Sequence, residues 1–169
     1  MDPKRLKSAW RLIPTTIGIL ILKNSKDNYS GITINSFFSV SINHSILAVS
    51  LSNNSNTMKY MDKETVFSIS VLNSSQKDYA DFFSKKDKEI VPSNLLFKTS
   101  DEGVRSIKDA SIIFYCKWDS SNIVKDHTII YSKIFDVEFN NNCLLYTSPS
   151  HETGRNLVCR LLLEKKKGG

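Results

Sequence analysis

Cysteine, histidine and glycine are all scarce in this chain, and each shortage removes a class of chemistry. Three cysteines (Cys116, Cys143 and Cys159) and three histidines occur in 169 residues, with no C-x-x-C pair. That pattern gives neither a disulfide framework nor a thiol-based metal site. The six glycines form no G-x-G-x-x-G or Walker-type loop, so nucleotide phosphates would have to be held another way. No paired-carboxylate signature is present. Long apolar runs are missing too: Ile17–Leu22 is short of the ~20 residues a spanning helix needs. The opening MDPKRLKSAWRLIPTTIGILILKNS has a signal-like order of charge and apolarity. Pro14, Thr15, Thr16 and Gly18 dilute it, however, and no small-x-small cleavage site follows. Asp2 as N-cap and Pro3 at the first helical position predict a short helix over 3–12 instead.

The C-terminal NLVCRLLLEKKKGG resembles a basic amphipathic tail. Its three leucines are consecutive and would wrap around a helix, and three lysines are fewer than a lipid-headgroup cluster requires. The genetic code offers a sharper reading. CLLYTSPS, Cys143–Ser150, is what TGT CTC TTA TAC ACA TCT CCG AGC encodes, the end of a transposon-based sequencing adapter. NLVCRLLL matches AT CTC GTA TGC CGT CTT CTG CTT, the flow-cell arm of the same adapter, and the gap between the two has the length of a sample index. EKKKGG then reads as poly-A running into poly-G. We therefore expect residues 143–169 to be an adapter-derived, non-natural tail, and residues 1–142 to be one domain whose own C-terminus is unseen.

Without that tail, five of the 23 basic and two of the 17 acidic residues drop out, and the formal charge falls from +6 to about half. So small an excess predicts no nucleic-acid partner and no membrane association. Cys116 is then the lone cysteine, placed by alternation in a strand rather than as a nucleophile. A cytoplasmic setting follows.

Periodicity predicts a mainly β chain with a few short helices. Strands are expected at 16–23, at Gly31–Ile42, at Ser45–Ser52, at Thr65–Leu72, briefly near Leu96–Thr99, and as two long antiparallel strands, SIIFYCKW and HTIIYSKIFDVEF. The polar DSSNIVKD is expected to be the loop joining that last pair. Within 31–42, Ile32, Ile34, Phe38, Val40 and Ile42 are expected on one face, opposite Thr33, Asn35, Phe37, Ser39 and Ser41. Tyr79, Phe82 and Phe83 at i, i+3, i+4 predict an amphipathic helix with a serine cap. Many strands without βαβ alternation indicate a barrel-like antiparallel fold.

Two polar clusters could carry chemistry. Thr33, Asn35 and Ser39, with the Phe37 ring among them, suit a flat heteroaromatic ligand with a polar rim. Ser52, Asn53, Asn54, Ser55 and Thr57, where a strand runs into a helix, could cradle a phosphate without a lysine. A solvated strand face and a simple N-cap turn would give the same spacing.

GITINSFFSVSINHSILAVSLSNNSNTMKYM resembles the signature of the flavin reductase-like, FMN-binding split-barrel family: G-x-T-x-N-S-F-x-S-V-S, then a strand ending S-x-x-S-x-T. FSISVLNSSQKDYADFFS, KDHTIIYSKIFDVEF and WRLIPTTIGILIL resemble its other segments, so the likeness spans residues 9–139. It implies an antiparallel, Greek-key split barrel, a homodimer, and FMN (or FAD) with NAD(P)H as co-substrate. Thr33, Asn35, Ser36 and Phe37 would meet the isoalloxazine, and Ser52, Asn53, Ser55 and Thr57 would surround the phosphate. Ile34, Ser39, Asn54 and Phe83 are further cofactor-binding candidates. His127 is the catalytic candidate, although no side-chain acid is required. The implied activity is NAD(P)H-dependent reduction of free flavin for a transient flavin-dependent monooxygenase partner. An FMN-binding electron carrier or flavin store without turnover is the alternative, and a ligand-free dimeric scaffold a third. The chain departs from the family at SINHSI, where a D-P-P turn is usual, and at Lys125, which replaces a glycine. It also lacks the usual closing Y-H-x-G segment.

Overall fold

The computed structural model describes residues 1–24, 28–85, 92–140 and 143–146. Helix α1 (Pro3–Trp10) starts as its sequence dictates: the Asp2 side chain accepts from the Lys4 N–H at 3.0 Å and proline opens the first turn. Nine strands follow: β1 (Gly18–Lys23), β2 (Tyr29–Ile34), β3 (Phe37–Ser41), β4 (Ile46–Ser52), β5 (Val66–Val71), β6 (Phe97–Thr99), β7 (Arg105–Ile107), β8 (Ile112–Val124) and β9 (His127–Phe139). A 3-10 turn (Thr57–Tyr60) follows β4, and helix α2 (Lys77–Ser84) follows β5. Seven strands form one antiparallel sheet in the order β2-β1-β5-β8-β9-β4-β3, while β6 and β7 pair separately. β2 and β3 are consecutive in the chain yet stand at opposite ends of that order, so the sheet curls until its ends meet. This is the expected barrel.

Two expectations need correction. Residues 31–42 are not one strand. Asn35 and Ser36 interrupt it, and Ser36 is held to β4 by the Ser50 N–H (2.9 Å) and by its own hydroxyl donating to the Ser50 carbonyl (2.7 Å). The strand face therefore changes there: Ile34 is buried, but Phe38, Val40 and Ile42 are exposed at 57 %, 48 % and 81 %. The segment DSSNIVKD is not a loop either. β8 runs through to Val124 and pairs with β9 down to Val124–His127, leaving only Lys125 and Asp126 as the turn. Lys125 takes φ +57°, a left-handed conformation that glycine adopts without strain, which accounts for the family's glycine there.

The core has two layers. Inside the barrel, Leu20, Leu22, Ile34, Leu47, Val49, Leu51, Phe67, Ile69, Cys116 and Ile130 pack together. Outside it, Ile19 and Ile21 pack with Tyr79 and Phe83 of α2, Ile107 and Tyr115. β1 is thus buried on both faces, which is why GILIL is a continuous apolar run rather than an alternating one. α2 begins after Gln76 without the expected serine cap; Ser75 bonds Asn73 instead. Leu144 and Tyr146 bridge to Asn73 and Thr16, and Leu145 is buried in the outer layer. The rest of the tail, 147–169, lies outside the described residues. No helix among the described residues is long and apolar enough to cross a membrane.

Candidate functional site

The end of β4 runs into a tight turn before the 3-10 helix, and the hydrogen bonds of this turn decide what it offers a ligand. The Ser52 hydroxyl accepts from the Asn54 N–H (3.4 Å), and the Ser55 hydroxyl accepts from the Met58 N–H (3.1 Å). A hydroxyl that accepts within the turn keeps its own proton to donate outward. Thr57, itself buried, shares one hydrogen bond with Ser30 on β2 at 3.2 Å, which leaves one of the two hydroxyl protons spare. Asn56, the N-cap of the 3-10 turn, makes no side-chain capping bond.

These groups surround a cleft of about 640 Å³ lined by Ser30, Ile32, Ser52, Asn54, Ser55, Asn56, Thr57, Phe83, Ser84 and Lys85. Five residues expected to bind cofactor therefore meet here: Ser52, Asn54, Ser55, Thr57 and Phe83. Phe83 reaches the cleft because β2 carries Gly31 beneath α2. A Cβ on Gly31 would stand 2.5 Å from the Phe83 ring, so only glycine permits this approach. Thr33 ties the same helix down by donating to the Ala80 carbonyl at 2.8 Å. The set of spare hydroxyl protons, amides and one ammonium group fits a flavin phosphate, and the adjoining ring and Ile32 fit an apolar portion beside it.

Sequence reasoning missed Lys85, which lies about thirty residues beyond the phosphate motif at the end of α2. Spacing gave no signal for it; only the fold places that helix end over the turn. Ser30 precedes the motif, Asn56 sits unremarked within the 52–57 cluster, and Ile32 was read only as part of the apolar strand face.

The other expected residues stand elsewhere. Asn53 points to the β8–β9 hairpin: its N–H donates to the Asp126 carbonyl (2.9 Å), its amide donates to the Lys125 carbonyl (3.1 Å), and its side-chain oxygen accepts from Thr128 (2.7 Å). This clamp sets His127 directly opposite Ser52 in the β4–β9 register. His127 is exposed and pairs with Asp126 at 3.1 Å; that hydrogen bond holds the Asp126 carboxyl below its ordinary range. Asn35 donates to Thr15 (3.1 Å), Ser39 is exposed on β3, Ile34 is in the barrel core, and the Phe37 ring packs on Gly18 and Ile69. None of Thr33, Ile34, Asn35, Ser36, Phe37, Ser39, Asn53 or His127 lines the cleft.

Fold and cleft together define a curled antiparallel barrel with a cleft lined by hydroxyl and amide groups at one end. The family description "flavin reductase like domain" matches residues 10–153, and the chain belongs to that family. The NADH-dependent flavin reductase StyB of Pseudomonas fluorescens is 29% identical over 134 residues, covering 79% of this chain and 77% of that protein. The styrene monooxygenase flavin reductase of Pseudomonas putida superimposes with a TM-score of 0.78 at 27% identity, covering 86% of this chain and 93% of the other. NADH:FAD oxidoreductase SgcE6 of Streptomyces globisporus shares the fold, with a TM-score of 0.80 at 20% identity over 92% and 97% of the two chains.

Proposed function

We propose that this chain is a flavin reductase that uses NADH or NADPH to reduce a flavin and supplies the product to a separate oxygenase. The observation that carries this reading is the cleft itself, where spare hydroxyl protons, Lys85 and Phe83 converge beside the family's turn. When bound, flavin and nicotinamide supply the hydride chemistry. The chain's own work is to hold and shield. Ser52, Ser55 and Thr57 donate to the phosphate, Lys85 balances its charge, and Phe83 keeps water from the adjoining portion. The Asn35–Ser36 break, outside the β2 and β3 ladders, supplies backbone N–H groups for the ring. His127, opposite Ser52 on β9, is the candidate to meet the ring or the nicotinamide, and no side-chain acid is needed.

Lys85→Ala tests the placement. FMN affinity should fall about tenfold, the cost of losing one charge-assisted contact, while affinity for riboflavin, which has no phosphate, stays unchanged. An equal loss for both flavins, or no loss for either, would place the phosphate elsewhere.

Three finer points belong to the same reading. Exposed Phe38 and Val40 on β3, with Ile42 in the turn just after it, support a homodimer formed over that strand. A reducing cytoplasm suits Cys116, a free buried thiol among the described residues whose pKa burial pushes up to about 12. The adapter origin of 143–169 rests on its codon match. Sequencing the source gene would decide it.

A further inference from the structure

Asn53 stands within the phosphate turn but turns its side chain away from it. Ser52 and Asn54, on either side, line the cleft. Asn53 spends its backbone N–H and both ends of its side-chain amide on the β8–β9 hairpin instead. The N–H donates to the Asp126 carbonyl (2.9 Å) and the amide nitrogen to the Lys125 carbonyl (3.1 Å), while the amide oxygen accepts from the Thr128 hydroxyl (2.7 Å). These are the two residues before His127 and the one after it. A single residue of β4's turn therefore brackets the histidine on both sides.

The position held in this way is a particular one. Ser52 and His127 are partners in the β4–β9 ladder. Directly opposite residues leave an antiparallel pair on the same face, their Cβ atoms about 5 Å apart. A hydroxyl for the flavin phosphate and an exposed imidazole thus stand one strand spacing from each other.

The hairpin needs such a hold. Ser52–His127 is the last pair of that ladder, and ladder ends fray unless something carries the attachment past them. The turn beyond is only Lys125 and Asp126, and Lys125 adopts φ +57°, which is unfavourable for a residue with a Cβ. The Asn53 amide donates to the carbonyl of that same lysine. The His127 ring pairs with Asp126, its own neighbour in the chain, and this contact moves with the hairpin rather than fixing it to β4.

We propose that Asn53 is a positioning residue for the reaction: it fixes His127 relative to the phosphate turn, so that the nicotinamide is received at a set distance from a flavin held by its phosphate. The proposal rests on the flavin reductase reading, with His127 meeting the nicotinamide. Asn53 acts through the hairpin and touches neither nucleotide.

The test measures FMN affinity, and kcat/KM for NADH at saturating FMN, in the wild type, Asn53→Ala, His127→Ala and the double variant. Asn53→Ala should lower kcat/KM about fivefold, as the loss of ordinary hydrogen bonds would, with FMN affinity unchanged. In the His127→Ala background the same substitution should cost nothing further. Thr128→Val, which removes the hydroxyl donor, should also lower kcat/KM, and Thr128→Ser, which keeps it, should restore the wild-type value. A matching loss of FMN affinity in Asn53→Ala would assign the residue to the phosphate and overturn the proposal. So would an unchanged kcat/KM in Asn53→Ala or in His127→Ala, or a fivefold cost that persists in the double variant. Should Asn53→Ala fail to fold, the Thr128 pair decides alone, and equal kcat/KM for Thr128→Val and Thr128→Ser would overturn the proposal. Absence of flavin-dependent NADH oxidation in the wild type would instead sink the flavin reductase reading itself.

Discussion

Ser132 is fully buried on β9 between Leu47 of β4 and Trp118 of β8, and its hydroxyl has no hydrogen-bond partner among the described residues. A buried hydroxyl without a partner costs more than it returns. Ser132→Ala should therefore raise stability by about 1 kcal/mol in chemical denaturation; a loss of that size would mean that the hydroxyl is satisfied after all. Elsewhere single residues were legible from the sequence in proportion to how local their role is. Asp2 caps α1 through a bond to a residue two positions away. The Ser52–Thr57 turn likewise closes on itself, so its shape was legible locally, although spacing alone left a simple N-cap turn equally open. Thr33 and Asn53 were legible only as polar groups, because their partners, Ala80 and the Lys125–Thr128 hairpin, are distant in the chain. Lys85 was not legible at all.

At the scale of elements, alternation revealed nearly every strand and misread two junctions for physical reasons. The apolar alternation of 31–42 lapses only at Ser36 and resumes in the same phase at Phe38, too slight a break to show that the chain leaves one end of the sheet and enters the other. The outer half of β8, Asp119–Val124, is polar because most of it faces water, and solvent exposure mimics a loop. The contact between β2 and α2 is where element packing governs function. Gly31→Ala would drive a methyl group into the Phe83 ring and push α2 outward, together with Ser84 and Lys85. Overpacking of this kind costs about 1–3 kcal/mol, and flavin affinity should fall with it. Gly31→Ala with unchanged stability and unchanged flavin binding would show that α2 does not set the wall of the cleft. The outer layer is tied down separately. Buried Tyr115 donates to Glu138 at 2.8 Å, and Glu138 pairs with Lys98 of β6. Burial, opposed by the Ser106 hydrogen bond and reinforced by Glu138, pushes the Tyr115 hydroxyl up to about 12, so this link stays protonated through the neutral range.

For the whole molecule, the barrel supplies rigidity and its open end supplies chemistry. Composition excluded thiol, glycine-loop and paired-carboxylate mechanisms, and what remained was a scaffold for reactive groups brought from outside. The β4 turn, the end of α2 and the β8–β9 hairpin all meet at one end of the barrel through the bonds of Ser30, Thr33 and Asn53. That convergence, more than any one residue, makes a flavin reductase the best account of the chain. The most direct measurement is steady-state NADH oxidation by the purified protein as flavin is titrated in. The account predicts oxidation that is negligible without added flavin and rises to saturation with it, with reduced flavin accumulating when oxygen is excluded. A protein that binds flavin yet leaves the rate of NADH consumption unchanged would contradict it, and would identify a flavin carrier instead.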